Sequence, residues 1–146
     1  MRMTEGSRAV LVAVLIMVAF NGILLSVNGL FMLIAPQASY DFVPGVTDTG
    51  FFNQHFIRDI GIILLFLGLA FAIGMVAPDR RVGLWAVATL WLIAHAVFHL
   101  WEVAVGICSP SVIPRDFPAV TLPAIIGTVL TFWAINHRRA DGAAFA

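Results

Sequence analysis

Six ionisable side chains lie within long apolar segments of this 146-residue chain. They fall in two of those segments and are His55, Arg58, Asp59, His95, His99 and Glu102. Burying a titratable group among apolar residues is costly, so such a group usually has a partner or a function. Imidazole is the commonest metal ligand in proteins and titrates near neutral pH. These residues therefore predict either metal binding or proton transfer.

The spacing within each segment places the side chains on common helical faces. His55 and Asp59 are four residues apart, and so are His95 and His99. Side chains four apart on a helix are neighbours on its surface. Glu102 follows His95 by seven residues and continues the second strip. Each segment thus presents a row of donors and acceptors.

Depth along the helices predicts that the two rows meet. At about 1.5 Å of rise per residue, Asp59 lies about 7 Å inside the end of its segment and His99 about 9 Å inside the corresponding end of the next. Asn28 in the first apolar segment reaches the same level. The inner half of the chain's apolar segments has almost no polar residues. We therefore expect a pocket that opens at one side of a membrane and ends near its middle, and not a continuous pore.

The preferred interpretation is a metal site. Its predicted ligands are His55, Asp59, His95 and His99. Three further residues would orient those ligands by hydrogen bonds, and they are Arg58, Glu102 and Asn28. Nitrogen and oxygen ligands of this kind suit Zn, Cu(II) or non-haem Fe. A b-type haem is the other form of this hypothesis, with two histidines on facing helices and an arginine, Arg58 or Arg115, pairing the propionates. Either centre would allow redox activity.

Two alternatives need no metal. In the first, Arg58, Asp59 and the histidines hold the polar head of a lipid-soluble molecule such as a quinone, with a carboxylate or imidazole as proton acceptor. In the second, the polar groups only fix the packing of the helices, at about 0.6–2 kcal/mol per contact. The chain would then be a non-catalytic subunit of a larger membrane complex or a homo-oligomer. The sequence assigns no catalytic residue and leaves the question of enzyme activity open.

Composition predicts the elements that position these residues. The chain is 61% hydrophobic and 11% charged, with a mean hydropathy of +0.99. Soluble domains are roughly 45–50% apolar. The balanced charge, with eight basic and eight acidic residues, gives no reason to expect binding to nucleic acid. We expect an integral membrane protein in contact with the lipid bilayer.

The apolar segments predict an all-α fold, a single domain made of a four-helix transmembrane bundle. A membrane crossing needs about 20 helical residues. The four predicted spans cover residues 10–34, 54–76, 82–105 and 118–136. The first run is too long for the core of a signal peptide, so we expect it to be a span. Proline at positions 36 and 78 ends the first two, because it cannot continue a helix without losing a hydrogen bond.

The distribution of arginine predicts the orientation. Six arginines flank one side of the predicted spans, namely Arg2, Arg8, Arg80, Arg81, Arg138 and Arg139. Only Arg58 and Arg115 lie towards the other side. Basic residues are enriched on the cytoplasmic side, so both termini should be cytoplasmic. The expected location is the cell membrane, as a multi-pass protein, which in a bacterium is the inner membrane. We call the side opposite the termini the outer side.

Overall fold

A computed structural model describes residues 5–48 and 50–143. Within them the chain is helical, which confirms the all-α prediction. The helices are α1 (Glu5–Ile34), α2 (Pro36–Phe42), α3 (Gln54–Val76), α4 (Pro78–Ala104), α5 (Val112–Asp116) and α6 (Leu122–Ala143). A 3₁₀ turn covers Val46–Asp48, and a π-helical turn, Phe117–Thr121, joins α5 to α6. Arg2, one of the arginines used to predict the orientation, lies outside the described residues.

Four helical segments are long and apolar enough to cross a membrane. They are Glu5–Ile34, Gln54–Val76, Pro78–Ala104 and Val112–Arg138. Each presents large apolar side chains on the outside of the bundle, for example Ile16 at 64% exposure, Phe66 at 68%, Val87 at 70% and Phe132 at 63%. Helices without a polar outer face are typical of membrane proteins. The chain therefore has the features of a multi-pass membrane protein.

Helices α1 and α3 pack closely and antiparallel because glycines line their interface. A Cβ atom on Gly29 would lie 2.6 Å from the carbonyl oxygen of Gly61 and 2.7 Å from the amide nitrogen of Leu65. Farther along, a Cβ on Gly68 would meet the backbone of Gly22 at 2.8 Å. Small residues let two membrane helices approach to backbone contact. The spacing of Gly61 and Gly68 on one face thus sets the α1–α3 distance.

Helices α3 and α4 form a tight antiparallel hairpin with Ala77 as the only residue between them. Arg81 donates from Nε to the carbonyl of Gly74 at 2.8 Å and from Nη2 to that of Met75 at 3.0 Å. It thereby satisfies carbonyls that the last turn of α3 leaves without helical partners. The buried indole of Trp85 donates to the carbonyl of Phe71 at 3.1 Å. These bonds fix the two helices at their inner end.

Helix α6 closes the bundle by contacting both α4 and α1. The hydroxyls of Thr89 and Thr131 lie 3.1 Å apart and join α4 to α6. On the other side, the amide of Asn21 in α1 donates to the carbonyl of Pro123 at 3.0 Å. Asn21 is fully buried, and its Oδ1 atom has no partner among the described residues. A polar contact in the middle of an apolar core therefore sets the position of α6 against α1.

The fourth membrane-length segment contains an irregular first part. Helical structure begins at Val112, ahead of the predicted span start at Pro118. Proline has no amide hydrogen, so Pro118 and Pro123 each remove one donor from the α-helical ladder. The π-helical turn Phe117–Thr121 contains Pro118 and ends before Pro123, with the amide of Leu122 bonded to the carbonyl of Phe117. Turns of this type occur as single insertions in α-helices, often at functional sites.

Candidate functional site

The site begins with a row of three rings along α4. The ring of His95 stacks on Trp91 with centroids 4.8 Å apart, and it contacts the edge of His99 at 4.6 Å. The three residues follow one another at intervals of four, which places them on one helical face. His95 and His99 are both partly buried. The structure therefore brings together the two histidines that the sequence placed in this strip.

A carboxylate from the segment before α6 contacts the outer histidine. Oδ2 of Asp116 lies 3.5 Å from Nδ1 of His99, and the two side chains are 17% and 30% exposed. A neutral imidazole carries its hydrogen on one nitrogen and a lone pair on the other. A hydrogen on Nδ1, the atom nearest the carboxylate, would leave the lone pair of His99 on Nε2. That nitrogen can bind a metal ion or accept a proton.

Asp116 is itself held in place by Arg115. The guanidinium donates from Nε to Oδ1 at 2.7 Å and from Nη2 to Oδ2 at 3.2 Å, a two-pronged pairing. Nη1 of Arg115 also lies 3.7 Å from Asp48 in the 3₁₀ turn after α2. Planar guanidinium–carboxylate pairs restrict the orientation of both partners. Asp116 therefore presents a fixed face to His99, and the first outer loop contributes to that arrangement.

The predicted residues of α3 form a separate pair. Nε2 of His55 lies 3.2 Å from Oδ2 of Asp59, as expected for residues one helical turn apart. Their side chains are 88% and 50% exposed. Asn53 caps the same helix end, its side chain accepting from the amide of Phe56 at 3.1 Å. The α3 pair therefore lies on the outside of the bundle, at the outer end of its helix.

The residues predicted to orient the ligands have other contacts. Arg58 donates to the carbonyl of Leu33 at 3.2 Å, where it satisfies the last turn of α1. Asn28 donates to the carbonyl of Leu24, four residues earlier in its own helix, at 3.0 Å. The half-buried side chain of Glu102 has no hydrogen bond or ion pair within residues 5–48 and 50–143.

The structure thus brings the predicted ligands together as two pairs. Within the described part of the chain, no three or more histidine, cysteine, aspartate or glutamate side chains are arranged to hold one metal ion. His95 and His99 form one pair, and His55 with Asp59 the other. Four ligands on a single ion would require α3 and α4 to approach each other more closely at their outer ends than they do in this structure.

Asp116 and Asp48 are the residues that the sequence interpretation missed. Both lie in outer segments that the sequence indicates only as turn-rich loops. The one available signal was Arg115, the only arginine of those loops, which directly precedes Asp116. An arginine pairs readily with a carboxylate in two-point geometry, and the adjacent aspartate is the simplest choice of partner.

An apolar groove runs beside this site, between α4 and α6, and opens on the membrane-facing surface. It consists of two neighbouring cavities of about 260 and 210 Å³. Ile93 and Thr128 line both cavities. Ala96 and Thr121 line the outer cavity, and Thr131 lines the inner one.

Comparisons with known proteins give no relative for this chain. No family model, no curated protein and no solved structure matches it.

Proposed function

We propose that this chain is a membrane protein that binds a metal ion at the outer end of α4 through His95 and His99. The contact between His99 and Asp116 is the observation that carries the proposal. Histidines that bind metals nearly always direct their second ring nitrogen at a carboxylate, a carbonyl or water. The carboxylate fixes the tautomer and makes the free nitrogen a better ligand. Asp116, held by Arg115, supplies this arrangement.

Two imidazoles at an interval of four on one helix can chelate one ion, as they do in zinc-binding helices. Two nitrogens do not complete the four-coordinate shell that Zn prefers, so two or more positions stay open for water or a substrate. Zn, Cu(II) and Fe all accept this ligand type. His55 and Asp59 could contribute further ligands only if α3 approaches α4.

A single ion fits this arrangement better than a b-type haem. A haem held between helices takes its axial ligands from opposite sides of the ring. The two imidazoles in contact here belong to one helix and meet edge to face, with centroids 4.6 Å apart. Haem binding would therefore use one of them together with a ligand from another helix.

A metal-free site for a lipid-soluble molecule is the second candidate. It is supported by the small number of protein ligands and by the apolar groove next to the histidines. In this case Nε2 of His99 accepts a hydrogen bond, or a proton, from a hydroxyl group of the bound molecule. Asp116 then stabilises the imidazolium.

The proposal includes the orientation predicted from arginine, with both termini in the cytoplasm and the histidines at the outer side of the cell membrane. Assembly into a homo-oligomer or a larger complex would be compatible with it. Either form of assembly could supply the missing ligands.

Elemental analysis together with an optical spectrum tests the proposal. The full chain should be purified in detergent with an affinity tag that contains no histidine, since a polyhistidine tag would bind the same ions. We expect near-stoichiometric Zn, Cu or Fe without a Soret band. A Soret band would indicate haem. Absence of both, also after incubation with each ion, would reject metal binding and leave the metal-free candidate.

A further inference from the structure

We propose that the groove between α4 and α6 binds the hydrocarbon tail of a membrane-soluble hydroxyl compound, such as a quinol or another long-chain alcohol. Its head group would reach His99. Only the position of the head group rests on the proposed function. The tail site is argued from the groove itself.

The residues that line the groove and those of the histidine site follow one another along α4 on one wall and along the segment leading into α6 on the other. On α4, Ile93, Ala96 and His99 follow at intervals of three and are neighbours on the helix surface. On the opposite wall, Asp116 directly precedes the π-helical turn, and the last residue of that turn, Thr121, lines the groove. His99 and Asp116 contact each other, and each follows the outermost lining residue of its own wall towards the outer side.

The walls of the groove are suited to hydrocarbon and not to water. Three of its four lining threonines are already bonded within the protein: Thr128 donates to the carbonyl of Ala124 at 2.8 Å, and Thr89 pairs with Thr131. The fourth, Thr121, lies at the outer end of the groove. The groove therefore presents almost no free donor or acceptor. Water needs two to four polar partners to occupy a cavity, whereas an apolar chain needs none.

The dimensions favour a single elongated occupant. From Thr121 to Ile135 the groove follows α6 for roughly 20 Å. Its two cavities together reach the roughly 300–1,000 Å³ of small-molecule sites. The occupant enters sideways from the bilayer, because the groove opens beside exposed apolar residues such as Val129 and Phe132.

The tautomer of His99 selects the chemistry of the head group. Its Nδ1 lies 3.5 Å from Asp116, and a neutral ring with its hydrogen on Nδ1 offers a lone pair on Nε2. That atom accepts from a hydroxyl group and has nothing to donate to a carbonyl. A phenol, quinol or alcohol is therefore preferred over the corresponding quinone or ketone. If an ion is bound to the histidines, the same hydroxyl oxygen fills one of its open positions.

Photolabelling in lipid nanodiscs tests this inference. The probe is a long-chain hydroquinone with a diazirine at the end of its tail, and the comparison probe is a phospholipid with a diazirine on one acyl chain. Ile93→Trp fills the junction of the two cavities from a position that is 40% exposed. Val97→Trp is the matched control, because it places the same side chain on the same helix at a residue outside the groove, 58% exposed.

We expect the hydroquinone probe to label α6 between Ile125 and Phe132. Labelling should fall about tenfold in Ile93→Trp, or about 1.4 kcal/mol of binding free energy, and remain unchanged in Val97→Trp. Labelling spread over all four helices, or insensitive to Ile93→Trp, would overturn the inference. So would equal labelling by the phospholipid probe, which would indicate bulk lipid only.

Metal analysis of the same samples separates this inference from the proposed function. If Ile93→Trp loses labelling but keeps its full metal content, the result supports a tail site distinct from the metal site. Specific labelling of a wild-type protein that holds no metal supports the groove and rejects the metal site. Bound metal without specific labelling rejects the groove alone.

Discussion

Oδ2 of Asp116 lies 3.5 Å from Nδ1 of His99, so a residue from the segment before the last helix completes a site that begins on α4. The two residues come from α5 and α4, and Arg115 pairs with both Asp116 and Asp48. The affinity of His99 for any ligand would therefore depend on the position of this outer segment.

Replacement of either α4 histidine tests ligand binding directly. His95→Ala and His99→Ala would each remove one of the two proposed ligands. We expect metal affinity to fall by more than the roughly 10–100-fold that follows the loss of an orienting partner. His137→Ala is the control, because its ring stacks on Trp133 near the opposite end of the bundle. Equal metal content in all variants, measured by elemental analysis, would exclude histidine ligation on α4.

Amide substitutions distinguish the roles of the carboxylates. Asp116→Asn keeps the size of the side chain but removes its charge, so metal affinity should fall by about 10–100-fold while some binding persists. Asp59→Asn should abolish tight binding if Asp59 is a direct ligand, as the sequence predicts. If binding to Asp59→Asn is as tight as to wild type, the site is confined to α4. Competition with a chromogenic chelator measures each affinity.

Introducing a methyl group at the α1–α3 contact should destabilise the bundle. The Cβ of Gly29→Ala meets backbone atoms of Gly61 and Leu65, which cannot move aside as a flexible side chain would. Overpacking of this kind costs about 1–3 kcal/mol. Gly83→Ala is the matched control: its Cβ meets no atom within 4 Å, and alanine should stabilise helix α4 by about 0.5–1 kcal/mol. Unfolding in mixed micelles gives both values, and equal stability of the two variants would contradict the close contact.

The orientation is tested by reporter fusions. A reporter that is active only in the cytoplasm should work when inserted at Arg80, between α3 and α4. One that is active only on the outer side should work when inserted after Thr47. The arginine distribution predicts this result. The reverse pattern would place the histidine site on the cytoplasmic side.

Much of the helical architecture could be predicted from sequence, because apolar length and proline position determine it locally. Helix α1 ends at Ile34 and α3 at Val76, each directly before an alanine–proline pair. The start of the last segment could not be predicted in the same way. Proline is tolerated in a first turn, and it can also be accommodated by a π-helical turn. The sequence pattern does not distinguish these outcomes, and at Pro118 the chain forms a π-helical turn.

The site was predictable only where its contacts are local. The contacts of His95 with His99 and of His55 with Asp59 follow from an interval of four on one helix. The contact between His99 and Asp116 depends on how residues 105–111 and α5 fold back, which periodicity does not encode. Depth alone placed Asp59 near His99, but equal depth does not determine which faces of two helices meet. Arg58 is a further example: its depth placed it near the histidines, but its side chain donates to a carbonyl at the end of α1.

The single residue between α3 and α4 has a mechanical consequence. Ala77, with Arg81 bonded to the last turn of α3, makes the inner end of this hairpin a fixed pivot. His99 lies about 33 Å along α4 from that pivot, so a tilt of about 10° displaces it by about 6 Å. The same tilt displaces Trp85 by only about 2 Å. A small change in the angle between α3 and α4 would therefore alter the surroundings of the histidines at the outer end far more than the packing at the inner end.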